Sequence, residues 1–378
     1  MSMHATKEVE RAVLAQLVHS RMNPFEAADS LLELSRLADT AGVLICDQIT
    51  QNRPKPDGGT LFGKGKVEDL KNLLREKEAN TVVFDNPLSA FQQFNLTKAL
   101  EARVMDRTEL ILQIFARRAR SAEAQTQVEL AQLQFLLSRI PVTAAQQRFK
   151  GGIGMKGPGE SRLQLRNAPM RKRVTELKKK LAEIHKRSAV EASVKRQWPV
   201  VSLVGYTNAG KSTLLNALAP RSEAYVDDRL FATLDTKTRL VWLQQNKQVL
   251  LTDTVGFIRN LPHTLIASFK STLDVAVQAD LLLIVVDASY PHVHDHLKVC
   301  YETIQEIGAK EVPSLLILNK CDKGSSDSAV LHVTEQYPQA IPISAKSGYG
   351  LETLKQSIIQ ELHKCCTLWQ LPSATSRT

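Results

Sequence analysis

The chain holds no apolar run long enough to cross a bilayer. Its longest purely aliphatic run is Leu281–Val286, inside ADLLLIVVDAS, far short of the roughly 20 residues a spanning helix needs. It reads instead as a buried parallel strand. The N-terminal stretch MSMHATKEVERAVLAQ carries charge from its first turns and has no apolar core, so a secretory signal is not expected. Cysteine is scarce: five residues, Cys46, Cys300, Cys321, Cys365 and Cys366, with no CxxC pair. That excludes a disulfide framework and a zinc ribbon and fits reduced thiols in a cytosol. The expectation is a cytoplasmic, monomeric protein with at most peripheral membrane contact. No internal repeat is visible.

Net charge is also missing from most of the molecule. The net charge is +10, from 49 Lys/Arg and 39 Asp/Glu. Residues 148–197 alone hold 15 Lys/Arg against 4 Asp/Glu, and the remainder is nearly neutral. An imbalance confined to one segment is the electrostatic footprint of a site for a polyanion.

The texture along 378 residues suggests three parts and a tail. Residues 1–106 read as a small α/β domain: a helix over Ala27–Ala38, a strand at Gly42–Cys46, a helix over Val67–Leu74, a strand at Thr81–Asp85 and a helix over Ala90–Glu101. Alternation of this kind predicts a parallel sheet. Residues 107–197 read as a basic antiparallel helical hairpin. Its first arm is one long helix over 107–140, with apolar positions at Leu110, Ile114, Val128, Leu130, Leu133, Leu137 and Ile140. The Gly-rich loop GGIGMKGPGES (151–161) joins it to a second arm, where Val174, Leu177, Leu181 and Ile184 step by 3, 4 and 3. The seam is structural; the Lys/Arg on the other face are candidates for RNA. Residues 198–366 alternate strands (Pro199–Val204, Val249–Asp253, Leu281–Asp287, Ser314–Leu318, Ala340–Ile343) with helices. They predict a doubly wound, mostly parallel sheet. Residues 367–378 read as a disordered tail.

The chemistry sits in the third part. VVSLVGYTNAGKSTLL matches strand, loop, helix, with Gly205, Gly210, Lys211 and Ser212 in the G-x-x-x-x-G-K-[ST] spacing. In Gly205-Tyr206-Thr207-Asn208-Ala209-Gly210 the backbone can curl so that amides converge on phosphate, helped by the helix N-terminus at Lys211-Ser212-Thr213. Lys211 can reach the β/γ-phosphates and Ser212 can bind Mg²⁺. Asp253-Thr254-Val255-Gly256 ends another strand, placing a carboxylate for Mg²⁺ and a Gly256 amide for the γ-phosphate. Asn319-Lys320-Cys321-Asp322 ends a third. The Asp322 carboxylate can accept from guanine N1–H and the 2-amino group, a paired donor edge that adenine lacks, so the nucleotide is GTP/GDP. Ser344-Ala345-Lys346 ends a fourth, with the Ala345 amide facing guanine O6. Four short motifs in order define a P-loop GTPase domain. In well-known switches Gly256 would be followed by a Gln that orients the attacking water. Here it is Phe257, which cannot, so intact binding is expected together with slow intrinsic hydrolysis that a partner stimulates.

These residues resemble the translation-factor class of P-loop GTPases. Resemblance to "FATLD" within LFATLDTKTR (230–239) implies Thr233 as the threonine closing on Mg²⁺ and γ-phosphate, with Thr236 and Thr238 as alternatives. The catalytic set is then Lys211, Thr233 and Gly256, and the metal set Ser212, Thr233 and Asp253. Over residues 40–366 the chain resembles one family, the HflX ribosome-associated GTPases. The motifs are FGKGKVEDL (62–70), VVFDNPLSAFQQFNLTKAL (82–100), VMDRTELILQIFARRARS (104–121), QVELAQLQFLLSRI (127–140), GGIGMKGPGES, GYTNAGKSTLLNAL (205–218) and DTVGF. The resemblance implies docking on the large ribosomal subunit and, with GTP, splitting of stalled or idle ribosomes under stress. The basic segment 148–197 suits rRNA. A G-domain-regulated RNA-modification or ribosome-assembly factor is the alternative. After GPGE the sequence departs from the family with SRLQLRNAPMRKR, where Pro169 is expected to interrupt the helix start. His292, His294 and His296 (PHVHDH) read as exposed residues at a helix start, and Asp106 and Glu109 as helix-dipole carboxylates.

Overall fold

A computed structural model of the chain describes residues 10–20, 23–139, 158–195, 197–219, 231, 237–244, 247–259, 270–323 and 333–365. The fold divides into two compact units, one of residues 1–117 and 126–180, the other of 118–125 and 181–378.

In the first unit, strands β1 (Arg11–His19), β2 (Leu44–Arg53), β3 (Thr81–Phe84) and β4 (Arg103–Asp106) form a parallel sheet of order β2-β1-β3-β4. Helices α1 (Pro24–Thr40), α2 (Lys64–Glu76) and α3 (Ala90–Leu100) make the crossovers. Asn23 and Ser89 cap α1 and α3; Ser89 forms a capping box with Gln92. The central strand β1 is not evident from the sequence, because RAVLAQLVH lacks alternation: its middle residues are buried on both faces.

At the carboxyl ends of β1 and β3 lies a buried polar network. Arg107, 3% exposed, donates to Asp85 at 2.8 Å, to Glu33 at 2.8 Å and to the Ser30 carbonyl at 2.7 Å. Gln16 and Ser30 also donate to Asp85. Burial opposes the charge on Arg107, but Asp85 and Glu33 outweigh it and raise its pKa.

The single long helix expected over 107–140 is two helices, α4 (Arg107–Arg118) and α5 (Ala122–Ser138). Ser121 divides them: its hydroxyl accepts from the Ala124 amide at 3.0 Å, capping a new helix. The second correction is α6, which runs unbroken from Pro158 to Lys195 with Pro169 inside it. Leu177 and Leu181 are buried, as the 3-4-3 stepping predicts. Arg173 pairs with Glu129 and His185 with Glu123, so α5 and α6 run antiparallel. The loop residues 151–157 and the side chains of Arg162 and Arg166 lie outside the described residues.

In the second unit, β5 (Val200–Gly205), β6 (Lys237–Gln244), β7 (Lys247–Asp253), β8 (Leu281–Asp287), β9 (Ser314–Asn319) and β10 (Ile341–Pro342) form a sheet of order β10-β9-β8-β5-β7-β6. All are parallel except β6, an antiparallel edge strand absent from the strands expected of this part. Helices α7 (Lys211–Leu218) and α10 (Leu351–Cys365) bury Leu214, Leu215, Leu354 and Ile358 against one face. Helices α8 (Lys270–Val277) and α9 (Val293–Glu306) bury Leu273, Ala276, Leu297 and Ile304 against the other. The chain leaves β5 for β6 and β7 on one side and returns to β8 on the other. That reversal opens a crevice at the carboxyl ends of the strands.

Candidate nucleotide site

The loop after β5 lies in this crevice. Gly210 starts α7 at φ +92°, a backbone that L side chains rarely adopt, and a Cβ there would run into the Asn319 side chain. Lys211, 6% exposed, folds back so that its ammonium donates to the carbonyls of Gly205 at 3.0 Å and Tyr206 at 2.9 Å. Burial lowers its pKa, partly offset by Asp253. The Ser212 hydroxyl donates to the Asp253 carboxylate at 2.6 Å, bringing together two hard oxygen donors of the kind Mg²⁺ takes.

The segment after β7 is laid directly on this loop. The Thr254 hydroxyl donates to the Leu203 carbonyl at 2.6 Å. The Thr207 amide donates to the Phe257 carbonyl at 2.7 Å, and the Phe257 amide to the Gly205 carbonyl at 3.0 Å. Gly256 fits because it has no side chain: a Cβ there would stand 2.8 Å from Thr207 Cα and 3.0 Å from the Lys211 ammonium. Phe257 is 2% exposed and packs in the core with Tyr206, Leu273 and Ile284. Its ring is an anchor within that core.

The motifs after β9 and β10 close the other wall. Asn319 donates to the Ala209 carbonyl at 2.8 Å and accepts from the Ala345 amide at 3.0 Å. Lys320 donates to the Asn208 carbonyl at 2.6 Å and pairs with Asp287 at 2.7 Å. A hydrogen bond from the Ser344 side chain holds the exposed Asp322 carboxylate below its ordinary range. Thus Gly205–Ser212, Asp253–Gly256, Asn319–Asp322 and Ser344–Ala345 meet at one end of the sheet. Thr213 follows within α7, and Lys346 is exposed beside Ala345. Thr233 and Thr236 lie outside the described residues. Thr238 lies within β6, its hydroxyl 2.9 Å from that of Thr252.

Sequence reasoning missed the support behind the loop. His296 is not exposed, as expected, but 8% exposed. It stacks between Tyr206, with centroids 3.8 Å apart, and Tyr290, at 4.1 Å. The Tyr206 hydroxyl accepts from the Arg259 amide at 2.9 Å, and Arg259 pairs with Asp295 at 3.0 Å. Burial pushes the Cys300 thiol beneath the loop up to about 12, which makes it inert. Asp287 was legible only as the polar end of a buried strand. Among the described residues no cluster of His, Cys, Asp or Glu could hold a metal ion, and no helix is long and apolar enough to cross a membrane.

A doubly wound sheet with a glycine-bounded phosphate loop and an Asn-Lys-x-Asp wall defines a P-loop GTPase. Three family models match successive stretches: a GTP-binding GTPase N-terminal region over 28–116, a GTP-binding GTPase middle region over 118–195 and a 50S ribosome-binding GTPase over 200–320. GTPase HflX of Caldanaerobacter subterraneus subsp. tengcongensis is 42% identical, over 95% of this chain and 82% of its own length. GTPase HflX of Escherichia coli K12 is 39% identical, over 92% of this chain and 82% of its own. Among solved structures, the complex of SsGBP with GDP aligns with a TM-score of 0.50 at 26% identity, covering 93% of this chain and 98% of that one. The chain belongs to the HflX family of GTPases.

Proposed function

We propose that the chain binds GTP in the crevice at the end of β5, hydrolyses it slowly to GDP and phosphate, and in its GTP form binds the large ribosomal subunit. Convergence of the four motifs on one crevice carries this reading. Lys211, the backbone of 205–213 and the Gly256 amide take the phosphates. Asp322 and the Ala345 amide read guanine, with Asn319, Lys320, Ser344 and Lys346 shaping the base wall. Ser212, Asp253 and Thr233 would hold Mg²⁺, which would supply charge neutralisation at the phosphates. Because Phe257 is buried in the core, fast hydrolysis requires a group brought by the ribosome, and such completion is worth about 10³–10⁵-fold. The basic segment 148–197 grips rRNA, and the GTP form splits or rescues stalled or idle ribosomes under stress in the cytoplasm.

Sedimentation of the monomeric protein with ribosomal subunits tests this. With a non-hydrolysable GTP analogue it pellets with the large subunit; with GDP, or without residues 148–197, it stays in the supernatant. Equal pelleting in all nucleotide states would sink the proposal.

A further inference from the structure

The first unit carries a cleft that the nucleotide chemistry does not use. It has a volume of 770 Å³ and lies between α1 and β2, at the carboxyl ends of β1 and β2. Open parallel sheets take ligands at that end of their strands. β2 is an edge strand. Gln48, Thr50 and Asn52 alternate along it on one face, all three exposed, and line the cleft. No hydrogen bond within the protein engages their side chains. Leu31 and Leu32 of α1 line the cleft as well, and Leu32 is 50% exposed. Gln16, 1% exposed, reaches it from β1. Its two amide hydrogens are spent on the Ala27 carbonyl at 2.8 Å and on Asp85 at 3.1 Å. Asp85 is itself held by Ser30 and Arg107, so the Gln16 amide is locked in one orientation. What it leaves for the cleft is its carbonyl oxygen, which accepts no hydrogen bond among the described residues. An acceptor so placed favours a ligand that brings an N–H or O–H.

The rest of the lining decides the class of ligand. Among the described residues it holds no lysine, aspartate or glutamate, and no phenylalanine, tyrosine or tryptophan. The Arg53 guanidinium turns toward Gly63, which leaves the exposed His19 as the ionisable side chain of the cleft. A polyphosphate finds no cluster of cations there, and a nucleobase finds no aromatic ring to stack on. What remains is an aliphatic wall facing a row of uncharged amides and a hydroxyl. Alternate residues of a strand repeat at about 6.6–6.8 Å, and so do those of any extended peptide. We infer that the cleft binds a short, uncharged, extended peptide segment of a partner protein. One backbone N–H of the segment donates to the Gln16 carbonyl oxygen. Its other amides pair with Gln48, Thr50 and Asn52 at the matching repeat, and an aliphatic side chain packs on Leu31 and Leu32. The Arg107 network holds Gln16 ready beforehand, which lowers the ordering cost of binding.

The test uses the full chain in excess GDP, so that the nucleotide crevice is not the site being read. The probe is the unlabelled peptide acetyl-Gly-Ala-Leu-Ala-Leu-Gly amide, titrated by calorimetry. The parent protein should bind it saturably with a Kd below about 1 mM. Leu32→Asp and Thr50→Lys each put a charge into the cleft from an exposed position, and each should weaken binding by at least about tenfold. The same peptide with aspartates in place of its leucines should lose at least about as much. Phe94→Asp changes an exposed residue of α3 outside the cleft, and it should leave the affinity within about twofold. Bound peptide should also slow amide exchange over residues 48–53 and leave residues 90–100 unchanged. No saturable binding by the parent overturns the proposal, as does undiminished affinity in both Leu32→Asp and Thr50→Lys. Equal or tighter binding of acetyl-leucine amide or of uridine overturns it too, since the cleft would then take a single small amide or a base. Should Leu32→Asp fail to fold, Thr50→Lys makes the same comparison.

Discussion

In the proposed base-reading role, Asp322 would carry both specificity and its pH dependence. The Ser344 hydrogen bond lowers its pKa, and reading guanine requires the carboxylate form. As pH falls, an ordinary aspartate would begin to protonate near its usual value; Asp322 does so only below it. Preference for GDP over IDP should therefore be the same at pH 5 as at pH 7.5, measured by competition binding. Asp322→Asn should shift selectivity from guanine toward xanthine nucleotides, which present an acceptor where guanine presents its amino group. Unchanged guanine preference would remove Asp322 from the base-reading role. Arg107 makes the contrasting case, a buried charge with no part in the nucleotide site. Its partners Asp85 and Glu33 are themselves largely buried, so Arg107→Ala leaves two carboxylates without their cation. The expected cost is about 3–5 kcal/mol, read from urea unfolding, with little change in GDP affinity.

Between residues and fold stand the elements, where two sequence expectations gave way. Ser121 does not stand out within RRARSAEAQTQ, yet it caps α5 and splits one expected helix into two. Ser121→Ala should cost about 1 kcal/mol. Pro169 looks like a helix stop but lies inside a helix of 38 residues. An interior proline removes one ladder hydrogen bond and crowds the carbonyl four residues back, and packing along the Leu177–Leu181 seam offsets that. Pro169→Ala should stabilise α6 by up to about 3 kcal/mol, visible as slower amide exchange over residues 165–173. No change in exchange would mean that the helix ladder there is already open. At the phosphate loop the prediction runs the other way. Gly210→Ala drives a Cβ into Asn319 and strains φ +92°. It should therefore weaken GDP binding by well over tenfold, because it separates the loop from the Asn319 bridge to Ala345.

Charge belongs to the whole molecule. The whole of the +10 excess resides in residues 148–197, and Lys178, Lys179 and Lys180 are exposed on α6. If this segment grips rRNA, association should weaken steeply with salt. Lys178→Ala, Lys179→Ala and Lys180→Ala together should then lower the log–log salt slope by roughly one unit for each phosphate no longer neutralised. A slope unaffected by the triple change would place the RNA-binding surface elsewhere. At this scale the parallel sheets were legible, because βαβ crossovers impose alternating elements and buried strands such as LLLIVVD read as continuous aliphatic runs. Two strands were not. RAVLAQLVH is rich in good helix formers, and only its central place in the first sheet makes it β1. KTRLVWLQ, the antiparallel edge β6, was not among the strands expected of this part, and its pairing with β7 supplies the evidence that local pattern lacked.

The motifs proposed to hold phosphate and guanine were found from the sequence alone, because such ligands are recognised by backbone amides and a few side chains at fixed spacing along one strand and turn. Order along the chain sufficed to find them. Tertiary structure decided what stands behind them: His296 between Tyr206 and Tyr290, Lys320 on Asp287 and Phe257 withdrawn into the core. Those relations join residues as far as 90 positions apart, from Tyr206 to His296. They follow from strand order and the packing of α9 against the sheet, which no spacing rule within a single segment encodes.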